Sequence, residues 1–112
     1  MTKQYRRAKR KVVPERIEVV DTMLDTPVGN IGNISESGML LIANAPVLDD
    51  ALYQFRFALP ANGRMQDIDV GVHQIWSDTS RGPGQSWVGF RFIDISPKHL
   101  DVLRAYIGPG EE

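Results

Sequence analysis

Arg6, Arg7, Lys9, Arg10 and Lys11 place five cations within seven residues near the start of the 112-residue chain. A cluster of that density needs an anion, whether nucleic acid, nucleotide or acidic lipid. Arg6 and Arg10 stand four residues apart, and each guanidinium offers a planar fork that fits phosphate oxygens. Lysine brings charge without the fork, so Lys9 and Lys11 read as long-range attraction, whereas Arg7, adjacent to the pair, is read as a contact. A second polar constellation follows one strand-like segment later. Asn33, Ser35 and Gly38 form an Asn-x-Ser-x-x-Gly pattern between two apolar stretches. The Asn oxygen can accept a hydrogen bond, and the Ser hydroxyl can donate or accept. The same residues also make good turns, with Gly38 supplying a positive φ.

The charge is segregated. Residues 1–16 carry seven Lys or Arg and one acid, a balance of +6, while the remaining 96 residues carry a balance of -7. An acidic body disfavours a long polyanion such as RNA and favours a small ligand that meets only the arm and one adjacent face. Other chemistries lack their agents. There is no cysteine, hence no disulfide and no thiolate metal site. His73 and His99 have no metal-ligand spacing, and Asp67 and Asp69 read as solvated carboxylates on a strand face. Gly82 and Gly84 flank a proline in a plain turn, and Asp49-Asp50 reads as a loop. Without a nucleophile-base pair the chain is not expected to be an enzyme, and no metal or cofactor is expected. No apolar run approaches the ~20 residues that span a bilayer, and Pro14-Glu15 interrupts any signal-peptide core, so a soluble, cytoplasmic protein is expected.

The elements that must hold these groups are mostly strands. Residues 16–23 are β-branched, with Ile17 and Val19 on one face. Turn chemistry is expected at Pro27 and Gly29-Asn30, and 38–44 is a short apolar run. Residues 52–59 alternate, with Tyr53, Phe55, Phe57 and Leu59 facing one way. Residues 60–63 form a turn. In 65–77, Ile68, Val70, Val72 and Trp76 recur at period two. The Gly/Pro-rich stretch 77–85 reads as a mobile hairpin connection, and 86–95 is a last strand with Val88, Phe90 and Phe92 together. Ser96-Pro97 caps a helix carrying Leu100, Leu103 and Ile107, which Gly108 ends. The pattern predicts a mainly β fold: a small six-stranded antiparallel barrel with one C-terminal α-helix. Residues 1–13 are expected to be a flexible basic arm, 14–108 the barrel and helix, and 109–112 a tail.

Taken in order, Arg6-x-x-x-Arg10 and Asn33-x-Ser35-x-x-Gly38 on a predicted barrel resemble the PilZ domain family, whose members bind the bacterial second messenger cyclic di-GMP. The last strand and helix, from WVGFRFIDIS onward, extend the resemblance over about residues 6–107. It implies a split-barrel type fold, cyclic di-GMP held by Arg6, Arg7, Arg10, Asn33, Ser35 and Gly38, and a downstream effector protein that reads the bound state. The ligand chemistry agrees. The O6 and N7 of guanine suit a guanidinium fork, and the opposite edge offers donors to Asn33 and Ser35. Many members carry Asp where this chain has Asn33, which leaves this position neutral. Gly38 would let backbone pass close to the ligand. Trp76 is a further candidate, since purines stack on aromatic rings, although the face it shares with Val70 and Val72 favours a place in the core. The alternatives are a basic-armed barrel that binds RNA, and a PilZ-like adaptor that binds protein without nucleotide.

Overall fold

The computed structural model describes residues 9–79 and 82–108. Seven strands and one helix follow in the order β1 (Lys11–Val12), β2 (Glu18–Asp21), β3 (Thr26–Ile34), β4 (Gly38–Ala43), β5 (Leu52–Ala61), β6 (Arg64–Asp78), β7 (Ser86–Ile95) and α1 (Pro97–Ile107). All pairings are antiparallel. The order β3-β2-β5-β6-β7-β4 closes on itself through β3–β4, which gives the expected six-stranded barrel, and β1 adds to β3 beside the ring.

The inner faces carry the alternation that the sequence carries. Phe55, Phe57 and Leu59 from β5, Ile68, Val70 and Val72 from β6, and Val88 and Phe90 from β7 are buried in one core, with Met39 and Leu41 from β4. The β5–β6 hairpin turns on Asn62 and Gly63, at φ 53° and 83°. Two successive left-handed residues give a turn whose twist matches that of the flanking strands. The turn is therefore only these two residues, and Pro60 and Ala61 belong to β5.

The segment from Thr26 to Ile34 departs from expectation. It is one nine-residue strand rather than a pair of turns. Pro27 and Gly29 sit within it at an irregularity, where Val19 pairs with Gly29 and Val20 with Pro27, so Val28 is the extra residue of a bulge. Gly29 is needed because β4 passes so close that a Cβ there would run into the Ile42 carbonyl. Helix α1 begins as predicted. Ser96 Oγ accepts from the His99 N–H, Pro97 opens the first turn, and Gly108 at φ 94° closes the helix by donating to the Arg104 carbonyl. Val102, Leu103, Tyr106 and Ile107 face the barrel. Among the described residues no helix is long and apolar enough to cross a membrane.

Candidate functional site

Arg6 and Arg7 lie outside the described residues, as do the rest of 1–8, residues 80–81 of the β6–β7 connection and the 109–112 tail. From Arg10 onward the expected arm has a defined course. Lys11 pairs with Ile34 and Val12 with Asn33, and the Val13 N–H donates to the Gly32 carbonyl at 3.1 Å. Arg10, just ahead of this pairing, donates from Nη1 to Asn33 Oδ1 at 2.5 Å. The two polar constellations of the sequence are thus in contact, 23 residues apart in the chain.

Asn33 begins a row that crosses the outside of the barrel. It pairs with Leu40 on β4, Leu40 with Gly89 on β7, and Gly89 with Trp76 on β6. Paired residues of adjacent strands point to the same side, at about 4.8 Å per strand, so Asn33 and Trp76 are about 14 Å apart along the row. Leu40 and Gly89 form the floor between them. Arg10, Asn33, Leu40, Gly89 and Trp76 all line one open pocket of about 300 Å³.

Two bulges aim the ends of this row outward. Ile31 pairs with Leu41 and Asn33 with Leu40, which leaves Gly32 as the extra residue on β3. Gln74 pairs with Phe90 and Trp76 with Gly89, which leaves Ile75 as the extra residue on β6. One inserted residue reverses which side the following side chains take. The expectation that Trp76 shares the core face of Val70 and Val72 fails for this reason. Gln74 keeps the inward phase and is buried, whereas Trp76 is 47% exposed. Its pyrrole edge lies over Gly89, where a Cβ would collide with the indole. Glycine within a strand often marks such a close approach, so Gly89 is a floor residue that the sequence could have flagged. Nothing in the pattern flagged Leu40.

Ser35 and Gly38 sit differently from expectation. Ser35 is 0% exposed. Its Oγ accepts from the Ser37 N–H at 3.2 Å, lies 3.1 Å from Ser37 Oγ and is 3.4 Å from the Gly38 carbonyl. A hydroxyl expected to meet a guanine edge is turned inward and pins the β3–β4 hairpin. Gly38 has no positive φ. It pairs with Arg91, and a Cβ would strike the Phe90 carbonyl, so its absent side chain is what lets β4 and β7 close. Both residues shape the end of the row that carries Asn33.

Elsewhere both histidines have structural partners. His73 Nε2 is 2.6 Å from Asp50 Oδ1, and His99 Nδ1 accepts from the Asp69 N–H at 3.1 Å. Asp69 also holds Arg56 directly across the β5–β6 pair at 2.8 Å. Among the described residues no group of three His, Cys, Asp or Glu is placed to hold a metal ion.

A family model described as PilZ domain matches residues 4–108. No curated protein matches the sequence. Among solved structures, the Bacillus subtilis inhibitor of motility MotI/DgrA is similar, with a TM-score of 0.74 at 12% identity over 93% of this chain. At that identity the likeness is one of fold. The chain spans 50% of the length of that protein.

Proposed function

This chain belongs to the PilZ domain family, and from that premise we propose that it is a receptor for cyclic di-GMP. Members of the family are generally receptors of this messenger rather than enzymes. One observation carries the reading for this chain: Arg10 and Asn33 stand at one end of a four-strand row and an exposed indole at the other, over a floor of Leu40 and Gly89.

Each part has a task in this proposal. The Arg10 guanidinium forks onto a guanine O6/N7 edge or a phosphodiester, and Arg6 and Arg7 close over the same ligand from the arm. Asn33, released from Arg10, accepts from a guanine donor. Trp76 stacks on a base. Ser35 and Gly38 contribute by holding the hairpin, since the Ser35 hydroxyl is already engaged. Charge-assisted bonds of about 1.5–3 kcal/mol each hold the ligand in this proposal. The ligand and the arginines around it give an effector protein a new surface to read. A cytoplasmic location is part of the same proposal.

Titration calorimetry against cyclic di-GMP, GMP and a single-stranded RNA tests it. Saturable binding of the dinucleotide is expected, weakened about tenfold or more by Arg6→Ala or Arg10→Ala, because one such bond exceeds about 1.4 kcal/mol. Equal affinity for RNA with steep salt dependence would replace the receptor reading with an RNA-binding one.

A further inference from the structure

The two segments that carry the proposed ligand site are both tied to the C-terminal half of α1. Lys11 Nζ donates to the Tyr106 carbonyl at 3.0 Å and lies 4.0 Å from the centroid of the Tyr106 ring. Tyr106 in turn donates from its hydroxyl to Glu15 Oε1 at 2.7 Å. On the hairpin, Glu36 accepts from Arg104 Nε at 3.1 Å. Successive residues of an extended chain project to opposite sides. Arg10 therefore reaches the pocket while its neighbour Lys11 reaches the helix. The hairpin repeats the division, with Asn33 at the pocket and Glu36, three residues on, at α1.

We propose that α1 is the output element of the receptor, with occupancy of the ligand site carried to its C-terminal half through Lys11 and Glu36. This rests on the reading of the site given above. Arg10 and Asn33 satisfy each other. A ligand that takes the guanidinium and the amide oxygen replaces that bond, so the arm and the hairpin adjust together and pull on both tethers. The tethers act through position more than through stability. Arg104 and Glu36 are each about half exposed, and exposed ion pairs add little to folding. Lys11 differs in that it sits at the helix C-terminus, where the dipole favours a cation. Buried against the barrel, Tyr106 has its phenol pushed well up, and the bond it donates holds the Glu15 carboxyl below its ordinary range. The Tyr106–Glu15 pair therefore keeps one charge pattern across neutral pH. By linkage, a protein that grips α1 changes the affinity for the ligand by the same factor that the ligand changes the affinity for that protein.

Hydrogen exchange of the amides of residues 103–108 in the full chain, with and without saturating cyclic di-GMP, tests the relay, with calorimetry in parallel. In the wild type, exchange there is expected to slow about fivefold or more on binding, the lower end of measured couplings, while amides at the Asn62-Gly63 turn stay unchanged. Lys11→Met with Glu36→Gln should keep saturable binding but lose most of the change at 103–108. Lys11→Arg with Glu36 intact should retain it, since a cation still covers the Tyr106 ring. Tight binding with silent α1 amides, or undiminished transmission in the double variant, overturns the relay while leaving the receptor standing. Absence of binding in the wild type overturns the receptor reading, and the relay with it.

Discussion

The two halves of β6 differ more than their sequence suggests. From Ile68 to Val72 the strand alternates regularly, and Ile68, Val70 and Val72 are buried against β5 and β7. The same parity continues through Gln74 and would carry Trp76 inward. One extra residue, Ile75, reverses the phase, and the indole lies outside on Gly89. The first half is governed by core packing, and the second by what its side chains offer to the surface. A hydrophobic residue in step with a core pattern therefore stands on the outer surface when a bulge comes between.

That contrast has measurable consequences. Ile68→Ala should lower stability by about 2–5 kcal/mol, as large-to-small core changes do, and leave dinucleotide affinity of the folded fraction unchanged. Urea unfolding with parallel calorimetry would read both quantities. Trp76→Ala should give the opposite pattern, with ligand binding weaker by about 1–3 kcal/mol and stability changed by no more than about 0.5 kcal/mol. If instead it unfolds the protein and spares binding, the division of β6 is wrong. Gly89→Ala sharpens the point, because the added methyl displaces the indole without removing it. It should cost somewhat less affinity than Trp76→Ala and weaken quenching of indole fluorescence by ligand. The smallest effect belongs to Arg56→Ala on the outer face of the first half. Arg56 meets Asp69 across the strands, but both are about half exposed, and neither the urea midpoint nor the binding curve should move resolvably.

The parts of the fold that were legible follow local rules. Alternation in β5 and early β6 marks the core face, residues 60–63 mark a turn whose first two residues belong to β5, and Ser96, Pro97 and Gly108 bound the helix. The Thr26–Ile34 strand is not legible, because Pro27 and Gly29 are turn formers in isolation, yet here they occupy a bulge beside a close-passing β4. At the candidate site, residue types singled out Arg10 and Asn33, and the structure brings them into contact. The inward hydroxyl of Ser35 was not legible, since a serine in a turn has the same composition whether it faces a ligand or pins a hairpin. Leu40 was invisible for a similar reason, as one apolar residue among several in β4.

By itself the sequence determined the charge division between a basic start and an acidic body, the strand and helix periodicities, and the two motifs that mark the family. These depend on residue type and on spacing along the chain, which need no partner to be read. Tertiary structure alone decided that Gly32 and Ile75 are bulges, that Asn33 and Trp76 share one row, and that Lys11 and Glu36 reach the helix. Phase in a sheet is set by register with neighbouring strands, and that register exists only once the barrel has closed.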